Sequence, residues 1–224
     1  MIEAFYTDEF VLPLPQGHRF PMRKYRLLRD KVSLIQDSVA LRIPPAATRG
    51  QLALAHCPHY IERVITGGLS ESEQKAIGFP WSHAMVERSL RSAGATIAAC
   101  RSALQHGAAV NLAGGTHHAK HALGSGFCVF NDIAVAARVI QTDALASSPT
   151  AQRRASPRVL VIDLDVHQGD GTAEITGGDP SIFTFSMHGA SNFPFTKMQS
   201  NLDIDLPSGT GDVAYLNALQ DGLV

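Results

Sequence analysis

The chain has 224 residues, of which 45% are apolar and 17% charged, with a formal net charge of −1. That length suits one domain with a sizeable core, and the composition excludes a disordered chain. A net charge so close to zero gives no electrostatic footprint for nucleic acid, and no apolar run approaches membrane-spanning length. Cys57, Cys100 and Cys128 are widely spaced, with no CxxC pair and no disulfide framework, which suits a reducing compartment. The start, MIEAFYTDEF, carries acids and lacks a basic region followed by an apolar one, so a signal peptide is not expected. The expected location is cytoplasmic.

Residues 2–6 read as a first strand, broken by Pro13, Pro15 and Gly17. A helix follows, with Pro21 near its first turn and Tyr25, Leu28 and Val32 spaced for one face. His18 reads as a capping or packing residue. Pro44 and Pro45 mark a loop, and residues 52–55 are a short second strand candidate. His56, Cys57 and His59 are interrupted by Pro58 and fit no closed zinc set. Tyr60, Ile61 and Val64 form a helical turn against the core, and residues 67–80 read as a polar surface excursion. Residues 82–106 give the clearest helix, with Ser82 as N-cap and Gly107 as stop. Gly94, Ala95 and Ala98 allow close packing on a neighbour. A strand over 108–113 ends in Gly114 and Gly115, and a helix follows Asp132. Residues 147–157 read as a mobile surface loop. Further strands are expected at 182–188 and 202–206, then a helix from Asp212 with Tyr215, Leu216, Leu219 and Leu223 on one face. Strands alternating with helices predict an α/β fold, a doubly wound, mainly parallel sheet flanked by helices. Neither a GxGxxG nor a P-loop pattern is present, so nucleotide binding has no support.

The chemistry concentrates in RVLVIDLDVHQGDG, residues 158–171. The apolar run 159–162 suits a strand buried on both faces. Asp163, Asp165 and His167 then alternate with Leu164 and Val166, so three polar side chains share one face at the strand's C-terminal end. Buried carboxylates need compensation, and a divalent metal held by Asp oxygen and His nitrogen supplies it. The second stretch is GGTHHAKHALGSGFCVFND, residues 114–132. It follows a strand, so His117 and His118 lie at the same sheet end. Adjacent histidines on an extended segment point apart and suit proton carriers, each needing a carboxylate to fix its tautomer. Asp163 and Asp170 are spare acids in the right neighbourhood. Gly124 and Gly126 suit a loop that approaches a ligand closely, and Phe127 would form an apolar wall.

Together these two stretches resemble the histone deacetylase family, including its bacterial deacetylase and acetylpolyamine amidohydrolase relatives. FTFSMHG, NFPF, LDIDLPSGTGD and, more loosely, HRFPM are lesser matches. The resemblance implies Asp165 and His167 as two of three zinc ligands. It implies His117 and His118 as the acid–base pair, oriented by Asp163 and Asp170 respectively. It further implies Gly126, Phe127 and Phe193 as walls of an acyl-lysine tunnel. Asp163, Asp165, His167, Ser186 and Met187 correspond to a monovalent cation site, usually potassium. The implied substrate is an acetylated lysine or acetylated amine, and the implied reaction is hydrolysis of its N-acyl amide.

The family's third zinc ligand, a later Asp, and its carbonyl-polarising Tyr have no counterpart motif here. Asp203, Asp205 and Asp212 are available acids outside the third-ligand context. The expectation is therefore a single deacetylase-like domain over 1–224 that forms the N-terminal part of a longer one, or a homo-oligomer whose partner copy supplies the missing Asp. Two other readings stay open: a ureohydrolase with a two-metal cluster, and a non-catalytic remnant that keeps the pocket. Iron or cobalt could replace zinc, since ligand identity separates them poorly.

Overall fold

The computed structural model describes residues 1–35, 37–146 and 156–224. Among these residues six strands, β1 (Ile2–Phe5), β2 (Val39–Arg42), β3 (Ala109–Asn111), β4 (Val159–Asp163), β5 (Ile182–Gly189) and β6 (Leu202–Leu206), are all paired in parallel. They form two groups of three, ordered β2-β1-β3 and β4-β5-β6. Among the described residues eight α-helices accompany them: α1 (Lys24–Val32), α2 (Arg49–Leu52), α3 (Pro58–Thr66), α4 (Glu71–Ile77), α5 (His83–His106), α6 (Asp132–Ala146), α7 (Asp170–Thr176) and α8 (Asp212–Gly222). The expected parallel α/β organisation holds, with its strands in two ladders. Among the described residues no helix is long and apolar enough to cross a membrane.

The long helix α5 is the spine. Ser82 caps its start by accepting from the Met85 amide, and Gly107 ends it at φ 91°. It packs against β1, β3 and α6. Gly94 is needed for this approach, because a Cβ there would stand 2.0 Å from the Pro45 carbonyl oxygen. The main core gathers Tyr60, Ile61 and Val64 of α3, Val86, Ala93 and Ile97 of α5, and Val135 and Val139 of α6.

Three expectations need correcting, and one strand is new. Residues 52–55 are not a strand: Thr48 and Gln51 form a reciprocal capping box that starts α2, and Leu52 is its last residue. The stretch 67–80 is more than a surface excursion. Ser70 and Glu73 form a second capping box on α4, and Ile77 and Phe79 are buried. Strand β2 was not foreseen, since VALR has no alternation to announce it. Finally, β4 is buried on one face only: Val161 is 9% exposed, whereas Leu160 is 59% and Ile162 43%. Val161 packs with Ala137 of α6 and Ile182 of β5. On the opposite face Leu160, on the edge strand β4, lies beside Phe183 of β5, which is also exposed.

Helices α1 and α8 bury no residue, so the predicted apolar faces are only half covered. Leu28, Leu216 and Leu223 are exposed, while Tyr25 and Tyr215 are half-buried. Most of the loop expected at 147–157 lies outside the described residues.

Candidate functional site

The two chemistry-bearing stretches meet where β3 and β4 end. After β3 the chain turns through Gly114 and Gly115 under the control of Asp132, the buried first residue of α6. Asp132 Oδ1 accepts from the Thr116 amide at 2.7 Å and the Thr116 hydroxyl at 2.6 Å. Its Oδ2 accepts from the Gly115 amide at 3.1 Å and the Thr96 hydroxyl at 2.5 Å. Gly114 must be glycine here, since a Cβ would stand 2.6 Å from Asp132 Oδ2.

This turn delivers His117 and His118, 5% and 4% exposed, with ring centroids 4.2 Å apart. His117 Nδ1 is 2.5 Å from Asp163 Oδ2, and His118 Nδ1 is 2.7 Å from Asp170 Oδ1. A carboxylate accepts, so each Nδ1 carries the proton and each Nε2 is left free. Burial pushes His117 down, but its hydrogen bond to Asp163 and the charges of Asp163, Asp165 and Asp170 outweigh this and hold it above the usual histidine value. His118 falls below it, because burial and the His117 charge prevail over Asp170.

Asp163 ends β4, opposite Ser186 of β5. Asp165 and His167 do not continue the strand as expected; they sit in a bend beyond it. The reason is local. Asp163 Oδ1 accepts from the Asp165 amide at 3.0 Å, and Asp165 Oδ1 accepts from the His167 amide at 2.8 Å. Each acid thereby turns the chain after itself instead of leaving its neighbours to the ladder. Burial would raise the Asp165 carboxyl, but the His167 amide and the charges of His117 and His167 hold it below the usual range.

Helix α7 then brings Asp170 in. Gly169 and Gly171 permit this: a Cβ at Gly169 would meet Asp163 Oδ2 at 2.4 Å, and one at Gly171 the Ala119 carbonyl oxygen at 2.3 Å. The Thr172 amide donates to the His117 carbonyl at 3.0 Å, tying helix to histidine segment.

Could these residues hold a metal? Asp165 Oδ1 and His167 Nδ1 lie 2.9 Å apart, a spacing that lets an oxygen and a nitrogen serve one ion. They fit zinc as an incomplete donor set, because no group of three His, Cys, Asp or Glu arranged for a metal occurs among the described residues. Ser186 Oγ lies 3.0 Å from His188 Nδ1, and Met187 is buried.

Phe193 stands beside the histidines, its ring 4.9 Å from His118 and 6.4 Å from His167. Gly126 passes between: a Cβ there would stand 2.7 Å from His118 Cδ2 and 3.2 Å from Phe193 Cε1. Phe127 adopts φ 66° and packs its ring on Phe20 and Phe79, at 5.1 and 5.3 Å. His18 accepts from the Phe20 amide and sits 2.9 Å from the Gly78 carbonyl, so it is a packing residue beside the Phe127 ring.

Sequence reasoning missed several residues. Lys120 Nζ lies 3.3 Å from Asp170 Oδ2 and partners the oxygen that His118 leaves free. Gln168 spans to the Met198 main chain and to Asp203, anchoring the segment that follows Phe193. Asn131 and Asp132 were visible in the motif, but nothing local signalled partners more than ten residues away.

Comparison with known proteins places the chain in a family. Residues 18–224 match the histone deacetylase domain. An uncharacterized protein of Picosynechococcus sp. is 46% identical over 218 residues, covering 96% of this chain and 69% of that protein. Acetoin utilization protein AcuC of Bacillus subtilis is 31% identical over 192 residues, covering 80% of this chain and 47% of AcuC. The crystal structure of an HDAC homolog from Aquifex aeolicus superposes with a TM-score of 0.78 at 25% identity, covering 99% of this chain. This chain spans 63% of that homolog's length.

Proposed function

The chain belongs to the histone deacetylase family, and we propose that it carries the acid–base half of a zinc-dependent hydrolase of acetylated lysine or acetylated amines. The observation that carries this reading is the pair of buried imidazoles, each bonded through Nδ1 to its own carboxylate beside Asp165 and His167. The activity is proposed for the whole protein.

Zinc held by Asp165, His167 and a third donor would polarise the acyl carbonyl and lower the pKa of a bound water toward about 7. The rest is done by the chain itself. His118, its Nδ1–H committed to Asp170, takes the proton of the attacking water on Nε2 and then gives it to the departing nitrogen. The amide C–N bond breaks, and the products are a carboxylic acid and a free amine. His117, bonded through Nδ1 to Asp163, completes the acid–base pair beside it. Gly126, Phe127 and Phe193 line the approach of the acyl group and exclude water. Asp163, Ser186 and the main-chain carbonyls around Asp165, His167 and Met187 would hold a potassium ion, which would stiffen the bend. The expected location is the cytoplasm.

The reading is tested by incubating the whole protein with an N-acetyl-lysine peptide and measuring acetate. Acetate release that a chelator abolishes and zinc restores is the expected result. Urea released from a guanidino substrate with manganese would overturn it in favour of a ureohydrolase. A second reading, acyl-amide binding without turnover, is favoured for the 224-residue chain alone by its incomplete donor set. Binding with no acetate from the whole protein would extend that reading to it.

A further inference from the structure

The histidine segment is fastened from behind by a residue the reaction does not touch. His56, between α2 and α3, is completely buried. Its Nε2 lies 2.8 Å from the main-chain nitrogen of Asn131, and its Nδ1 lies 3.0 Å from the carbonyl oxygen of Lys120. A main-chain N–H can only donate, so Nε2 accepts and the ring proton sits on Nδ1, pointing at Lys120. The other tautomer would set donor against donor and acceptor against acceptor. The cation would set donor against donor at Asn131. One neutral form alone satisfies both partners, and burial in this pocket keeps the ring neutral by lowering its pKa to about 4.

Asn131 passes the restraint on. Its Nδ2 donates to the carbonyl of His117 at 3.3 Å and of Ala119 at 3.1 Å, the two carbonyls that flank His118. The same Nδ2 lies 3.0 Å from Thr172 Oγ1 on α7, close to Asp170. Its Oδ1 accepts from the Ala134 amide at 2.9 Å, fixing Asn131 to the start of α6. Further bonds brace the same layer: the Cys57 amide to the His121 carbonyl, and the Tyr60 hydroxyl to the Val129 carbonyl, each at 2.8 Å. His56 therefore bridges both ends of the loop 120–131, and Asn131 converts that bridge into a fixed backbone on either side of His118.

We propose that His56 and Asn131 form a latch that positions the His117–His118 pair against Asp163 and Asp170. Both are positioning residues, and the proposal rests on the reading of that pair given above. A network of this kind transmits error, because a buried donor left without its acceptor forces a rearrangement of the backbone it belongs to.

The test uses the 224-residue chain and needs neither substrate nor metal. The short bonds to Asp163 and Asp170 place the Nδ1 protons of His117 and His118 far downfield in the proton NMR spectrum. In His56→Leu, folded by circular dichroism, the His118 resonance is expected to move upfield or exchange away. His56→Gln, whose amide can both donate and accept, is expected to keep it. Asn131→Asp retains an acceptor for Ala134 but loses both donors to the carbonyls, and it should behave as His56→Leu does. That variant decides the matter if His56→Leu does not fold. A merely structural role would lower the melting temperature and leave both resonances in place, which would overturn the latch. Such a failure would leave the proposed hydrolysis standing, and absence of acetate release would leave the latch standing.

Discussion

In the whole protein, His118→Ala is expected to lower turnover of an acetyl-lysine substrate by about 10²–10⁴-fold, the usual worth of a general acid–base group, while zinc binding persists. Loss of the imidazole removes the group that moves the proton between water and the leaving amine. It leaves the Asp165 and His167 side chains themselves in place, removing only the edge contact that the His118 ring makes with His167 at 5.7 Å. Asp170 is not stranded by the change either, because Lys120 Nζ remains 3.3 Å from its Oδ2. A buried carboxylate without any partner would put the fold itself at risk. Here the activity should fall far more steeply than the melting temperature, which drops only by the loss of the buried imidazole and its bond to Asp170. Near-normal turnover in a folded, zinc-loaded variant would remove His118 from the mechanism.

Asp132→Ala is expected to have the largest effect on stability. Asp132 is 1% exposed and accepts from two main-chain amides and two hydroxyls. Alanine leaves the Gly115 and Thr116 amides without an acceptor, at about 1–3 kcal/mol for each unsatisfied donor. Two effects reduce the sum: removal of a costly buried charge and partial access of water to the turn. The net expectation is about 2–4 kcal/mol, a large share of the roughly 5–15 kcal/mol that holds a typical domain together. At this chain length that corresponds to a fall of roughly 4–16 °C in melting temperature. The substitution Asp132→Asn keeps one acceptor oxygen, so it should lose less. An alanine variant melting within about 2 °C of the parent would show that the turn is held by something else.

What the sequence made legible follows from range. Ser82 before a long apolar periodicity and Gly107 after it mark α5 from local signals alone, and the run 159–162 marks β4 in the same way. The short helices α2 and α4 were hidden by composition. LALA reads as a strand until Thr48 and Gln51 are recognised as a cap, and the polar 67–80 stretch reads as a loop until Ser70 and Glu73 are. One-sided burial of β4 depends on which neighbours reach Leu160 and Ile162, which no local pattern encodes. The site divides similarly. Most residues named for it belong to two motifs, but the pairings His117–Asp163 and His118–Asp170 span 46 and 52 positions. Those two pairings were expected from the resemblance, whereas the bridge from His56 to Asn131, spanning 75 positions, had no signal at all.

The most direct measurement of the central claim is a calorimetric zinc titration of the 224-residue chain beside its His167→Ala variant. Two donors 2.9 Å apart predict one weak site in the parent that disappears in the variant. Equal stoichiometry and affinity in both proteins would contradict the assignment of Asp165 and His167 to the metal.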